Sequence, residues 1–228
     1  MSTYCISDIH GMNDKYLAML ETLRFRTTDT LYVLGDMIDY GPNPLRLVLD
    51  LMERPNVVAL AGNHELLACM LLRRLIHGGR KDELTDETMA DILRWSADGG
   101  APTLREFRAL SIPQRREVVD WLEDLPLYEE LEAGGARYVL VHAGLGVDFS
   151  PERALDSYDV TDCLLGRPDY DRVYFPDRFL VTGHTPTRTI HGIDRIYRAK
   201  RHIAIDCGAS LGGALAAVCL ETGEEFYV

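Results

Sequence analysis

The chain has 228 residues, 46% of them hydrophobic, which is enough apolar material for one continuous core in the size range of a single large domain. Its formal charge of −12 opposes long-range attraction to nucleic acid or anionic lipid, so any phosphate bound here needs a local cation. With no run near the roughly 18 apolar residues of a spanning helix, no signal-like core in the opening MSTYCISDIHG and no CxxC pair among its cysteines, the chain is expected to be a soluble cytoplasmic protein with cysteines as core filler.

From the N-terminus onward, short runs of β-branched and aliphatic residues end in polar clusters beside a glycine: TYCISDIHG, LYVLGDMIDYG, VVALAGNHE, YVLVHAG, FLVTGHT and HIAIDCGA. Between the first three lie helical patterns over Asn13 to Phe25, Pro44 to Arg54 and His64 to His77. The second has Asn43 placed to cap it, Pro44 in its first turn and Pro55 just past its end. A β-α-β-α-β order with short connections predicts an α/β fold with right-handed crossovers and a largely parallel sheet, whose strand ends meet at one ligand-binding edge. From Thr85 to Asp124 the pattern is helical, broken at Gly99 and Gly100 and restarted by Pro113, which reads as a helical insertion. Gly134 and Gly135 then separate two alternating runs as in a hairpin, and a second hairpin turns near Thr222 and Gly223. No repeat or linker suggests a second domain.

At the predicted sheet edge the clusters collect Asp8, His10, Asp36, Asp39, Asn63, His64, His142 and His184, four of the chain's 7 histidines. One such cluster alone reads as a turn whose histidine is satisfied by a backbone carbonyl; a series of five points to metal. Carboxylate, imidazole and one amide oxygen without thiolate suit Mn, Fe, Zn or Ni better than calcium, and these groups outnumber what one ion can use, so two ions are expected.

SDIHG, GDMIDYG, GNHE, VHAG and GHT, in that order and spacing, resemble the calcineurin-like metallophosphoesterases, in particular the small bacterial relatives of the phosphoprotein phosphatases; IDCGA extends the likeness towards the C-terminus. The resemblance implies a sandwich of two mixed β-sheets flanked by helices. It also implies that Asp8 and His10 hold one divalent ion, that Asp36 bridges both ions, and that Asn63, His142 and His184 complete the second. Two such ions, Mn by preference, would draw in phosphate despite the acidic surface and ready a shared hydroxide as nucleophile. His64 is then placed to protonate the leaving oxygen, with Asp39 fixing its tautomer. Glu65 reads as a first-turn acid complementing the helix end.

The pattern departs from the phosphoprotein phosphatases at Tyr40, where those proteins usually carry arginine. A phenol offers one hydrogen bond in place of a charged fork. Arg167, in LLGRPDY, is expected to supply the phosphate clamp. Ser7 and Ala143 are mild departures; His77, His191 and His202 read as surface or packing residues, and Trp95 and Trp121 as core. The expected activity is hydrolysis of phosphomonoesters, most of all phosphorylated serine or threonine on a protein partner, with small phosphoesters tolerated. The alternatives are a symmetrical dinucleoside tetraphosphate hydrolase, which the HAG variant and Tyr40-Gly41-Pro42 favour and Asp39 disfavours, and a non-catalytic scaffold, which the intact ligand set disfavours. Specificity is expected in the helical insertion and in the loop from Gly144 to Arg172.

Overall fold

The computed structural model describes residues 1–77, 84–146 and 148–228. In chain order the elements are β1 (Thr3–Ile6), α1 (Asn13–Leu23), β2 (Thr30–Val33), α2 (Pro44–Glu53), β3 (Val57–Ala59) and α3 (Asn63–Leu72), then α4 (Asp86–Trp95), α5 (Ala101–Ala109) and α6 (Ile112–Glu123). There follow β4 (Tyr128–Ala133), β5 (Ala136–Val141), α7 (Val160–Leu165), β6 (Arg178–Thr182), α8 (Thr187–His191), β7 (Tyr197–Ala199), β8 (His202–Ala204), β9 (Ala216–Cys219) and β10 (Glu225–Tyr227). They form two five-stranded sheets, ordered β10-β9-β1-β2-β3 and β4-β5-β6-β8-β7. In the first, β1, β2 and β3 run parallel, and the β9–β10 hairpin adds an antiparallel edge. In the second, β5, β6 and β8 run parallel between the antiparallel edges β4 and β7. Both sheets are mixed, as the resemblance implies.

Side-chain alternation sorts the strands between two cores. Tyr4 and Ile6 of β1 pack with Tyr16 and Met19 of α1, while Cys5 between them joins Leu140, Val181, Ile203 and Val218 where the sheets face each other. All five cysteines are buried and free, which fits their role as filler. On the outer face of the second sheet Val139 and Val141 meet Phe149, Leu155, Tyr158 and Leu164 from the Gly144–Arg172 loop, of which Val147 lies outside the described residues. Helices α4 to α6 build a separate cluster with α2 and α3, in which Ile92, Trp95, Phe107 and Val118 bury against Val48 and Leu72. At about 1.5–3 kcal/mol for each large side chain fully buried, this cluster fixes α4 and α5 firmly beside the sheet edge.

Several local expectations shift. Helix α1 stops at Leu23 because Arg24 turns left-handed, with φ 49°. Helix α3 begins at Asn63 and gives way after Leu72 to a 3-10 turn, Arg73–Leu75, instead of running to His77. Asn43 makes no side-chain cap; the Glu106 carboxylate of α5 accepts from the Leu45 amide at 2.8 Å and the Arg46 amide at 3.3 Å. Strand β7 was not expected, since its tight turn to β8 uses Lys200 and Arg201 at positive φ, with no Gly or Asn to signal a hairpin.

Candidate metal centre

The carboxyl ends of β1, β2 and β3 deliver Asp8, Asp36 and Asn63, and those of β5 and β6 deliver His142 and His184. Backbone bonds lock these ends together: the Asp8 amide donates to the Gly35 carbonyl (3.1 Å), His10 to Asp36 (2.9 Å), and Gly183 to His142 (2.8 Å). The approach is close enough that a Cβ on Gly35, itself at φ +79°, would meet the Gly62 backbone and His142 Nδ1 at 2.7 Å. Nine non-glycine residues have positive φ among those described; six are Asp8, His10, Asp36, Asp39, Tyr40 and His184. Each such conformation costs on the order of 1–3 kcal/mol, so the strain is concentrated at this edge and carried by the packing behind it.

Within this frame two groups form, His10–Asp36–His64 and Asp36–His142–His184, each with its candidate ligand atoms within 4.8 Å of one another. Asp36 belongs to both. His142 Nε2 lies 3.4 Å from Asp36 Oδ2 and 3.0 Å from Asn63 Oδ1, and His10 Nε2 lies 3.7 Å from Asp36 Oδ2. The other ring nitrogens are tied to carbonyls, His10 Nδ1 to Ile38 O at 2.9 Å and His142 Nδ1 to Leu34 O at 2.7 Å, which leaves both Nε2 atoms directed at the shared carboxylate. Asp8 stands in neither group. Its carboxylate accepts the His184 amide at 3.0 and 3.1 Å and the Ser7 hydroxyl, as a buried acid does when these are the nearest donors.

The donor set fits divalent cations. Asp8, Asp36 and the 4%-exposed Asp206 of IDCGA lie together; burial, then the Asp206 charge, push Asp8 well above the usual carboxylate range. Burial also raises Asp36, but the charge and hydrogen bond of His142 outweigh it and hold Asp36 ionised. Burial, then the charges of His142 and, further down, Arg167, lower His184 to about 4, so its ring is neutral and free to ligate. Crowded carboxylates beside imidazoles, with no thiol in either ligand group, suit metals that take oxygen and nitrogen together.

His64 faces this cluster from the start of α3, its Nδ1 2.7 Å from Asp39 Oδ2. Asp39 has no exposed surface. It is held by two donors from the helical insertion: Trp95 Nε1 donates to Oδ2 at 2.9 Å and the Thr103 hydroxyl to Oδ1 at 2.7 Å. Trp95 is core, as expected, and also a donor, which the sequence does not disclose. Burial lowers His64, but the hydrogen bond to Asp39 and the Asp36 charge prevail and raise it to about 9.

Glu65 is more than a helix-end acid. Fully buried, it accepts the Asp36 amide (2.8 Å) and Gly62 amide (2.9 Å) on Oε2, and the Met37 (2.8 Å) and Ile38 (3.2 Å) amides on Oε1, which ties the GDMIDYG turn to the GNHE turn. Tyr40 is 46% exposed at the rim, its ring edge-on to His10 (5.0 Å) and His64 (5.3 Å). Arg167 is exposed at the opposite end, beside His184, and forms no ion pair among the described residues. His77 and His191 are exposed; His202 is buried, stacked on Tyr170 and hydrogen-bonded through Nε2 to the Thr182 hydroxyl at 2.8 Å. No helix among the described residues is long and apolar enough to cross a membrane.

With this geometry in hand, comparison with known proteins finds that the calcineurin-like phosphoesterase family matches residues 1–206. A symmetrical bis(5'-nucleosyl)-tetraphosphatase of Acidovorax ebreus is 33% identical over 159 residues, 68% of this chain and 48% of that protein. The chain therefore spans about half the length of the curated relatives it matches. Among solved structures, one provisionally assigned as a diadenosine tetraphosphatase superposes with a TM-score of 0.69 at 18% identity, covering 100% of this chain and 92% of that one. A protein serine/threonine phosphatase from Saccharomyces cerevisiae superposes with a TM-score of 0.54 at 14% identity, covering 98% and 73%. At such identities the structural likeness concerns the fold alone.

Proposed function

Since the chain belongs to the calcineurin-like phosphoesterase family and is by that membership a metallophosphoesterase, we propose that it hydrolyses dinucleoside polyphosphates, splitting a dinucleoside tetraphosphate symmetrically into two nucleoside diphosphates. What supports this substrate class, ahead of the phosphoprotein expected from the motifs, is the 33% identity to a symmetrical tetraphosphatase over 68% of the chain. The observation that carries the chemistry is Asp36, shared by two groups of metal-type ligands.

In this reading Asp8, His10, Asp36, Asn63, His142 and His184 hold two divalent ions, Mn first and Fe, Zn or Ni as alternatives. When bound, such ions supply positive charge to the polyphosphate and acidify the attacking water. Arg167 receives phosphate oxygens at the His184 end, and the Tyr40 hydroxyl donates one hydrogen bond at the His64 end. Water gives its hydroxyl to the attacked phosphorus and its other proton to solvent, one P–O anhydride bond breaks, and His64 passes a proton to the departing diphosphate oxygen and regains one from solvent. Asp39 holds that imidazole in place and stabilises its charged form.

A second reading, protein serine/threonine phosphatase, is favoured by the Asp39–His64 pair itself. An alkoxide leaving group needs a poised acid far more than a nucleoside diphosphate does. Product analysis with Mn decides between them. Diadenosine tetraphosphate yielding ADP alone, with kcat/KM well above that for a phosphoserine peptide, supports the first; the reverse preference replaces it with the second. Arg167→Ala raises KM for the dinucleotide by about tenfold or more if the clamp is real, and an unchanged KM rules the clamp out.

A further inference from the structure

Beyond Arg167 the metal edge opens into a cleft of about 610 Å³ that none of the six metal-type ligands enters, and its lining includes Arg167, Asp169, Tyr170, Thr185, Thr189 and Tyr197. The volume lies within the range of small-molecule sites. It starts at Thr185, next in sequence to His184, so a group bound at the metal edge leads directly into it. Asp36 is shared by the group that holds His64, beside Tyr40, and the group that holds His184, on which the Arg167 charge acts.

The walls carry both signs of charge: Arg167, unpaired among the described residues, and the exposed carboxylates of Asp169 and Asp171. One Asp169 oxygen accepts the Asp171 amide at 2.9 Å, and no hydrogen bond among the described residues takes the other. Asp171 is engaged with Lys200 at 3.3 Å. Two tyrosines also line the cleft. Tyr170 is fixed by stacking on His202 (centroids 5.0 Å apart, planes 11° apart) and meets the Tyr197 ring edge-on at 5.5 Å. Its hydroxyl is buried beside Thr185, which leaves the ring as the part of Tyr170 that shapes the cleft wall.

We infer that this cleft is the subsite for one nucleoside of the substrate, with phosphate at Arg167, a ribose hydroxyl at the free oxygen of Asp169, and the base against Tyr197. The inference rests on the proposed reading and adds to it which half of the molecule is recognised and where: the half remote from His64. A polyphosphate tail or an acidic phosphopeptide would be repelled by Asp169 and Asp171, whereas a ribose is a good donor to carboxylate and a base has a face for an aromatic ring.

The test is calorimetric binding of ADP and of inorganic diphosphate to the full chain loaded with Mn. The wild type should bind ADP about tenfold or more tightly relative to diphosphate, the ratio expected from one stacked base and one ribose hydrogen bond. Tyr197→Ala and Asp169→Asn should each shrink that ratio several-fold without loss of diphosphate affinity, which also reports that the metal edge is intact. Should Tyr197→Ala lose diphosphate binding as well, the conservative Asp169→Asn decides. Equal binding of ADP and diphosphate by the wild type, or an unchanged ratio in Asp169→Asn, overturns the subsite. ADP held in the cleft by a protein that leaves diadenosine tetraphosphate intact would defeat the functional reading and keep the subsite; cleavage without any ADP preference would do the opposite.

Discussion

Asp39 shows how much a single buried carboxylate depends on its donors. It touches His64, Trp95 and Thr103 and no solvent, so the loss of either brace leaves a lone pair unsatisfied and the His64 ring less firmly held. Hydrogen bonds to a charged group contribute about 1.5–3 kcal/mol. Trp95→Phe, which keeps the aromatic packing and removes the N–H, should lower kcat on an alkyl phosphomonoester by about tenfold and on p-nitrophenyl phosphate by less, because the phenol leaves without much help. His64→Asn should show the same asymmetry more strongly, about 10²–10⁴-fold on the alkyl ester. Equal losses on the two substrates would remove His64 from the role of proton donor. His202 gives a separate signature, in stability. Burial lowers its imidazole to about 4 from 6.5, so the unfolded chain binds the proton more readily than the folded one between those values. Stability is kept above about pH 6.5 and falls as the pH drops through about 4, by on the order of 3 kcal/mol in all. Denaturant melts of wild type and His202→Gln from pH 7 to 4 check this: the variant should lose that part of the acid slope, and an identical slope would refute it.

The elements differ in how far their residues announce them. Helix α2 carries its start in Pro44, yet its cap comes from Glu106, 61 residues beyond the Leu45 amide that it accepts. Removing a cap costs about 1 kcal/mol, so Glu106→Ala should lower Tm by about 2–4 °C, and calorimetry showing no change would mean that solvent serves those amides equally well. The same distinction separates what was legible at the site from what was not. That Asp8, His10, Asp36, Asn63, His142 and His184 gather at one sheet edge could be read because a parallel strand ending in glycine and polar residues writes its chemistry in consecutive letters. The donors Trp95 and Thr103 could not. They reach Asp39 across 56 and 64 residues, and only the packing of α4 and α5 on α2 and α3 sets that distance. Glu65 was half legible: its place in the first turn of α3 could be read, but the two loop amides per carboxylate oxygen follow from how the β2 and β3 ends abut. Strand β7 escaped because its turn is made by two charged residues at positive φ, a conformation whose cost the neighbouring strands carry.

Across the whole molecule, 36 acidic residues against 24 basic ones leave a surface that repels polyanions, while the sheet edge gathers buried carboxylates that like charge and desolvation both oppose. The two facts have a common resolution if cations bind the folded chain at that edge. The unfolded chain scatters the same ligands over 177 positions, from Asp8 to His184 counted inclusively, and cannot hold ions comparably. Binding to the folded state alone stabilises by about 2.7 kcal/mol at a hundredfold excess over Kd, which for a domain of this size is a Tm rise of about 5–10 °C. Metal-stripped protein should therefore melt lower, gain stability steadily as Mn is added, and lose it again with chelator. Asp36→Asn, which removes the one carboxylate common to both ligand groups, should abolish most of the metal-dependent rise, measured against the variant's own metal-free Tm because losing the partner of His142 lowers that baseline too. A Tm rise of the same size in wild type and Asp36→Asn would place the cations elsewhere, on the acidic surface, and would take the two-ion site down with it.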